Sequence, residues 1–183
     1  MTEPDTRMPQ LIAFDLDFTL WHLWINCHAT PPFKRKSGEP LNEIWDARGS
    51  KISFYPDVPN IIATLRSTDD MKLALCSRTH APPAAREALD LLLVKDETGA
   101  TRPSREFFDL EEIYPGSKLA HFRSLHKRTG IPYEQMLFFD DEYRNSEVSQ
   151  LGVVFHLVDR GVNHATFDKG IEKWRDSLAR TDE

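Results

Sequence analysis

The sequence predicts an α/β fold built on a doubly wound, mostly parallel five-stranded sheet, and three observations carry that reading. Five short apolar or β-branched runs recur along the chain. Helix-period stretches lie between them, the pattern of strands joined in parallel by crossovers. Acidic or hydroxyl residues close three of the five runs, where such sheets gather their ligands, beyond the carboxyl ends of the strands.

Residues 1–10 are polar and read as a flexible N-terminus; residues 11–180 read as a single domain. The first strand is expected at 11–17, an apolar run ending in Asp15-Leu16-Asp17. A helical pattern at 58–67 leads to a second strand at 72–77, which ends on Ser77. Pro82 and Pro83 suit the first turn of a helix at 82–93, because proline's fixed φ and missing N–H cost nothing there. A strand at 107–113 precedes a helix at 118–129 that opens on Lys118 and stops at Gly130. A strand at 136–140 ends in Asp140-Asp141. A helix at 142–150, a strand at 153–158 and a last helix at 164–178 complete the alternation. Two segments break it. Residues 21–55 are rich in aromatics, prolines and charges, too irregular for a helix throughout, and residues 96–105 read as a polar surface loop.

Composition narrows the function. Apolar residues make up 40% and charged residues 28%, an ordinary balance for a water-soluble domain. A net charge of −6 argues against a nucleic-acid backbone as partner, since phosphate binding needs a basic face. Lys34-Arg35-Lys36 is a compact basic run and reads as a solvated loop. Residues 1–10 lack the apolar core of a signal peptide, and no apolar run approaches the ~20 residues that cross a bilayer, so no membrane partner is expected. Two cysteines make no disulfide framework, which points to a reducing compartment, cytoplasmic or also nuclear. A cysteine phosphatase needs an arginine six residues beyond its thiolate; Phe33 follows Cys27 at that distance and Pro82 follows Cys76. Both cysteines are therefore expected to be packing residues.

The chemistry lies with the acids. Asp15 and Asp17 sit two residues apart, the repeat of a strand, so both can face one side of a strand end. Two carboxylates ~4 Å apart near a surface repel by about 4 kcal/mol. A bound cation, a shared proton or full solvation must offset that.

The order acid pair, hydroxyl, lysine, acid pair resembles the four motifs of the haloacid dehalogenase superfamily of aspartate-nucleophile phosphatases. The wording Asp15-Leu16-Asp17-Phe18-Thr19-Leu20-Trp21, Ser77-Arg78-Thr79, Ile113-Tyr114-Pro115-Gly116-Ser117-Lys118 and Phe138-Phe139-Asp140-Asp141-Glu142 is similar to its magnesium-dependent phosphatase-1 family. The resemblance implies a Rossmann-like core whose first and fourth strands are neighbours, with residues 21–55 as a flap or minimal cap. It implies Mg²⁺ as cofactor, bound by carboxylate oxygens of Asp15 and Asp140 and the main-chain carbonyl of Asp17, with Asp141 and Thr19 supporting those ligands. Asp15 would be the nucleophile that forms an aspartyl-phosphate, and Asp17 the general acid and then base. Ser77 and Lys118 would bind the phosphoryl oxygens, and Arg78 is a candidate for the same contact against a structural role in its loop. For Asn145 and His80, substrate contact and a purely structural role both stay open, while Trp21 and Trp24 are expected to pack the flap. The implied substrate is a phosphorylated small molecule or a phosphoprotein, of sugar-phosphate or phosphotyrosine type.

Two other classes compete. A non-enzymatic phosphoacceptor module like a bacterial receiver domain uses the same residue types, but its consecutive acids lie on the first strand and its acceptor on the third. Here the first-strand pair is spaced by one residue and the consecutive pair comes on the fourth strand. An inert binding protein on the same fold would keep the motifs and lose activity through the flap.

Overall fold

The computed structural model describes residues 5–179 apart from positions 39 and 69. Residues 1–4 of the expected N-terminal segment and residue 180 of the expected domain lie outside the described residues. In chain order the elements are β1 (Leu11–Phe14), α1 (Ile25–His28), β2 (Ile44–Trp45), β3 (Lys51–Ile52), α2 (Val58–Arg66), β4 (Lys72–Ser77) and α3 (Pro82–Leu91). There follow β5 (Leu93–Lys95), β6 (Thr101–Pro103), β7 (Leu110–Ile113), α4 (Lys118–Thr129), β8 (Met136–Asp140), β9 (Val154–Leu157) and α5 (His164–Ala179). Short 3-10 turns occupy Ser104–Phe107, Tyr133–Gln135 and Tyr143–Leu151.

β7, β4, β1, β8 and β9 form a five-stranded parallel sheet in that order, so the two acid-bearing strands β1 and β8 are direct neighbours. Phe14 stands opposite Leu75 and Phe139, which aligns the carboxyl ends of the three central strands. The strands are apolar throughout because both faces are covered. Ile12, Phe14, Leu73, Leu75, Leu137 and Phe139 point to a core closed by α2, α3 and α5. The alternate residues Leu11, Ala13, Ala74, Cys76, Met136 and Phe138 meet Phe122 and Leu125 of α4 on the other side. Each large side chain buried there contributes about 1.5–3 kcal/mol. The strand order reverses between β1 and β8, which opens a crevice at their carboxyl ends.

Several boundaries differ from expectation. β1 stops at Phe14, because the Leu16 carbonyl accepts the amides of Thr19, Leu20 and Trp21 and curls the chain into a tight loop. The strand repeat therefore does not bring Asp15 and Asp17 to one side; this loop does. Residues 142–150 are a 3-10 turn and not an α-helix, with Asn145 and Val148 buried three residues apart, the repeat of that geometry. α3 ends at Leu91, since Leu92 turns extended and the Leu93 amide pairs with the Leu41 carbonyl. The expected polar loop at 96–105 is in part a hairpin, β5 against β6, whose turn is tied by Asp96. Phe107 belongs to a 3-10 turn, and the strand begins only at Leu110.

The segment after β1 is neither helix nor open coil. Its base is stapled by the Tyr55 amide on the Leu20 carbonyl and by bridges from Trp21 to Asp17 and Phe54. Within it lie α1 and the β2–β3 pair. The basic run is not simply solvated: the Arg35 guanidinium donates to the Leu41 and Glu43 carbonyls, and the Lys36 ammonium sits 3.3 Å from the Trp45 ring centre. No helix among the described residues is long and apolar enough to cross a membrane.

Candidate active site

At the carboxyl end of the sheet the expected residues converge on an open cavity of about 450 Å³. Asp15, one residue beyond β1, keeps its amide on the Phe139 carbonyl at 2.9 Å, so it stays in register with β8. Lys118 opens α4 behind an N-cap in which the Ser117 hydroxyl accepts the Ala120 amide. Its side chain is 1% exposed and reaches the carboxyl ends of the central strands, placing Nζ 2.7 Å from Asp15 Oδ1 and 3.1 Å from Asp140 Oδ2. Nζ also donates to the Cys76 carbonyl at the end of β4. One lysine thus links the ends of β1, β4 and β8.

Asp140 is fully buried and held from several directions. Asn145 Nδ2 donates to both carboxylate oxygens at 2.9 Å, and the Glu142 amide adds a bond of 2.8 Å. Asn145 Oδ1 in turn accepts from Arg78 at 3.1 Å. Asn145 is thus a buried residue that borders the cavity and braces Asp140. Nearness to the Asp140-Asp141 pair was the only hint of it in the chain. Arg78 and Ser77 both line the cavity, and the Ser77 hydroxyl accepts the Thr79 amide at 3.3 Å. His80 lines it as well.

Asp17 faces the cavity with one oxygen anchored. Its Oδ1 accepts the Trp21 indole N–H at 2.7 Å and the Ile25 amide at 3.2 Å. Thr19 is buried and does not line the cavity: its carbonyl accepts the Val162 amide, and its hydroxyl has no hydrogen-bond partner among the described residues. Two expectations need correction. Cys27 is exposed and borders the cavity, so it is no packing residue; burial holds only for Cys76, whose thiol desolvation pushes far up in pKa. Trp24 packs only in part: it stacks on His28 and meets Phe18 edge-on, yet is 47% exposed on the cavity wall, whereas Trp21 is fully buried. Trp24 starts a helix too short to bury it.

The electrostatics follow from burial. Desolvation raises the Asp15 carboxyl well above the usual range, opposed by Lys118 and reinforced by Asp140. Asp17 is raised by burial against the pull of its two N–H donors. Asp141 is pushed up to about 7, by burial first and then by the charges of Asp140 and Glu142. Burial pulls the Lys118 ammonium down in pKa, but Asp15 and Asp140 outweigh it and raise it above the usual lysine range. Carboxylate oxygens of Asp15, Asp140 and Asp141 all lie within 4.8 Å of one another. Burial and crowding oppose full ionisation of these acids, a cost that a cation among them would offset, and hard oxygen donors at that spacing suit a divalent cation such as Mg²⁺.

A family model described as Acid Phosphatase matches residues 7–177. The chain belongs to the acid phosphatase family. Among curated relatives of this acid phosphatase, a HAD-like hydrolase superfamily protein of Schizosaccharomyces pombe is 46% identical over 151 residues, covering 81% of this chain and 85% of its own. Magnesium-dependent phosphatase 1 of Homo sapiens is 40% identical over 167 residues, 91% of this chain and 87% of that protein. A solved haloacid dehalogenase-like hydrolase from Streptococcus pneumoniae has a TM-score of 0.55 at 14% identity, covering 95% of this chain and 98% of that one, a likeness of fold alone. These likenesses support a phosphoric monoester hydrolase on a HAD-like fold, and the cavity brings together buried carboxylates, a buried ammonium and the Arg78 guanidinium.

Proposed function

We propose that this acid phosphatase is a magnesium-dependent enzyme that hydrolyses phosphomonoesters through an aspartyl-phosphate formed on Asp15. The observation that carries the reading is the Lys118 ammonium lodged between Asp15 and Asp140 at the open end of the sheet. It keeps one acid in place as nucleophile and offers positive charge where phosphoryl oxygens arrive.

In the first step an Asp15 carboxylate oxygen attacks phosphorus and the ester P–O bond breaks. Asp17 gives its proton to the departing oxygen, and its burial-raised affinity for that proton suits the task. In the second step water attacks the phosphorus of the aspartyl-phosphate, Asp17 takes its proton, and phosphate leaves with Asp15 restored. Ser77, Arg78 and Lys118 bind the non-bridging oxygens. Asp15, Asp140 and the Asp17 carbonyl, with Asp141 beside them, would hold Mg²⁺, which would supply the positive charge that lets an anionic nucleophile approach an anionic ester. Thr19 supports the loop that carries Asp15 and Asp17. Residues 21–55 act as a minimal cap on the domain spanning 11–180, and Trp24, Asn26 and Cys27 bring it to the cavity wall. Such an open site fits bulky leaving groups, phosphotyrosine in a protein as well as a sugar phosphate.

Rapid mixing with an aryl phosphate labelled at phosphorus, followed by a denaturing quench, tests this. The label is expected on the peptide containing Asp15, and Asp15→Asn should abolish both label and turnover. Label on another residue, or more than ~1% residual turnover in Asp15→Asn, overturns the mechanism, because loss of a nucleophile removes far more than that.

A further inference from the structure

The two oxygens of Asp17 have different surroundings. Oδ1 accepts two N–H bonds, from the Trp21 indole at 2.7 Å and the Ile25 amide at 3.2 Å. Among the described residues no hydrogen bond reaches Oδ2, and Asp17 lines the cavity. An oxygen that already accepts two donors is a poor seat for a proton, so the proton for the leaving group belongs on Oδ2.

Trp21 is not free to adjust. Its side chain is fully buried and stacks on Phe54 at 6.0 Å with the rings 13° apart. Its backbone bridges both Asp17 and Phe54, and its amide is on the Leu16 carbonyl. The indole N–H is therefore fixed relative to β1 and to the far end of the flap together. Phe54 lies more than thirty residues along the chain, so the orientation of Asp17 depends on the flap having closed on itself.

We propose that Trp21 is the positioning residue for the acid–base group of this enzyme: its indole N–H locks Asp17 through Oδ1 and leaves Oδ2 to pass the proton to and from substrate. This rests on the reading of Asp17 as general acid and base. Burial alone would have served with any large apolar residue. The hydrogen bond requires a ring N–H, which phenylalanine of similar shape lacks.

The test compares Trp21→Phe with Asp17→Asn, timing the phosphorylation step by rapid quench on an alkyl and an aryl phosphate. The aryl oxygen leaves with little protonation, whereas the alkyl oxygen depends on it. For Trp21→Phe the step on the alkyl phosphate should slow ~10-fold or more and that on the aryl phosphate less than ~3-fold, with KM unchanged for both. A merely structural role would move the two substrates together. Equal losses, or no loss on either, overturn the inference. Asp17→Asn separates the two levels: if it shows no leaving-group dependence, the acid–base reading itself fails. If it shows the dependence and Trp21→Phe does not, only the role of Trp21 fails. Should Trp21→Phe not fold, 3-benzothienylalanine at position 21 keeps the ring shape with sulfur in place of N–H, and the same ratios decide.

Discussion

Asp140 shows how a single charge is held at a site of this kind. A buried carboxylate costs several kcal/mol unless hydrogen bonds and counter-charge offset it. Here Asn145 grips both oxygens, the Glu142 amide and Lys118 complete the set, and Arg78 orients Asn145 from outside. Asn145→Ala should therefore loosen Asp140 without touching Asp15, the proposed nucleophile. The Mg²⁺ concentration for half-maximal activity is expected to rise ~10–100-fold, the usual effect of removing a partner behind a metal ligand, with kcat recovered at saturating metal. Activity titrated against free Mg²⁺ gives the answer, and an unchanged midpoint would mean that Asp140 needs no such support. At this scale the motif acids Asp15, Asp17 and Asp140 were legible in the sequence, since their spacing and strand-end positions are properties of the chain. Asn145 was not, because its buried orientation depends on a 3-10 turn that no hydrophobic period announces.

Among the elements, α5 carries a contradiction between local preference and packing. Gly170 sits within this helix, where alanine would ordinarily add up to ~1 kcal/mol of helix stability. A Cβ there would lie 2.4 Å from the Phe139 ring, and Phe139 is fully buried between Phe14 and Phe167. Overpacking of that kind costs ~1–3 kcal/mol, so the clash outweighs the propensity. Gly170→Ala should lower the thermal midpoint, whereas an exposed glycine-to-alanine change in a helix raises it. A higher midpoint would show that α5 can shift off β8 at little cost. The order of elements followed from periodicity along the chain, but their ends did not. β1 ended three residues early, α3 gave way to a hairpin at Leu93, and the turn after β8 was not α-helical. Each end is set by a partner elsewhere, such as the Leu41 carbonyl that takes the Leu93 amide.

For the whole molecule, the acids gathered at one end of the sheet are carboxylates whose ionised forms are opposed by burial and by one another, with Lys118 as counter-charge. Mg²⁺ binding should therefore stabilise the folded protein as well as activate it. At a free concentration 100 times its Kd the expected gain is about 2.7 kcal/mol, read as a rise in thermal midpoint that Asp140→Asn removes. Activity should vanish with excess chelator and return with Mg²⁺ but only weakly with Ca²⁺, whose larger and looser coordination misplaces nucleophile and phosphate. Full activity in chelator would exclude the metal reading, and an equal rise in midpoint for Asp140→Asn would place the metal elsewhere.

The sequence by itself determined the α/β class, the alternation that makes the sheet parallel, and the order acid pair, hydroxyl, lysine, acid pair at the element ends, because strand and helix periods and strand-end residues are written locally. Tertiary structure alone decided how those residues meet. Lys118 lies 103 residues from Asp15 along the chain, and only the adjacency of β1, β4 and β8 puts its ammonium between two acids. Even the short-range bond from Trp21 to Asp17 depends on the loop around the Leu16 carbonyl and on Phe54 packing over the indole. A hydrogen bond needs its partners within about 3 Å and aligned, and no one-dimensional pattern encodes that condition for irregular backbone.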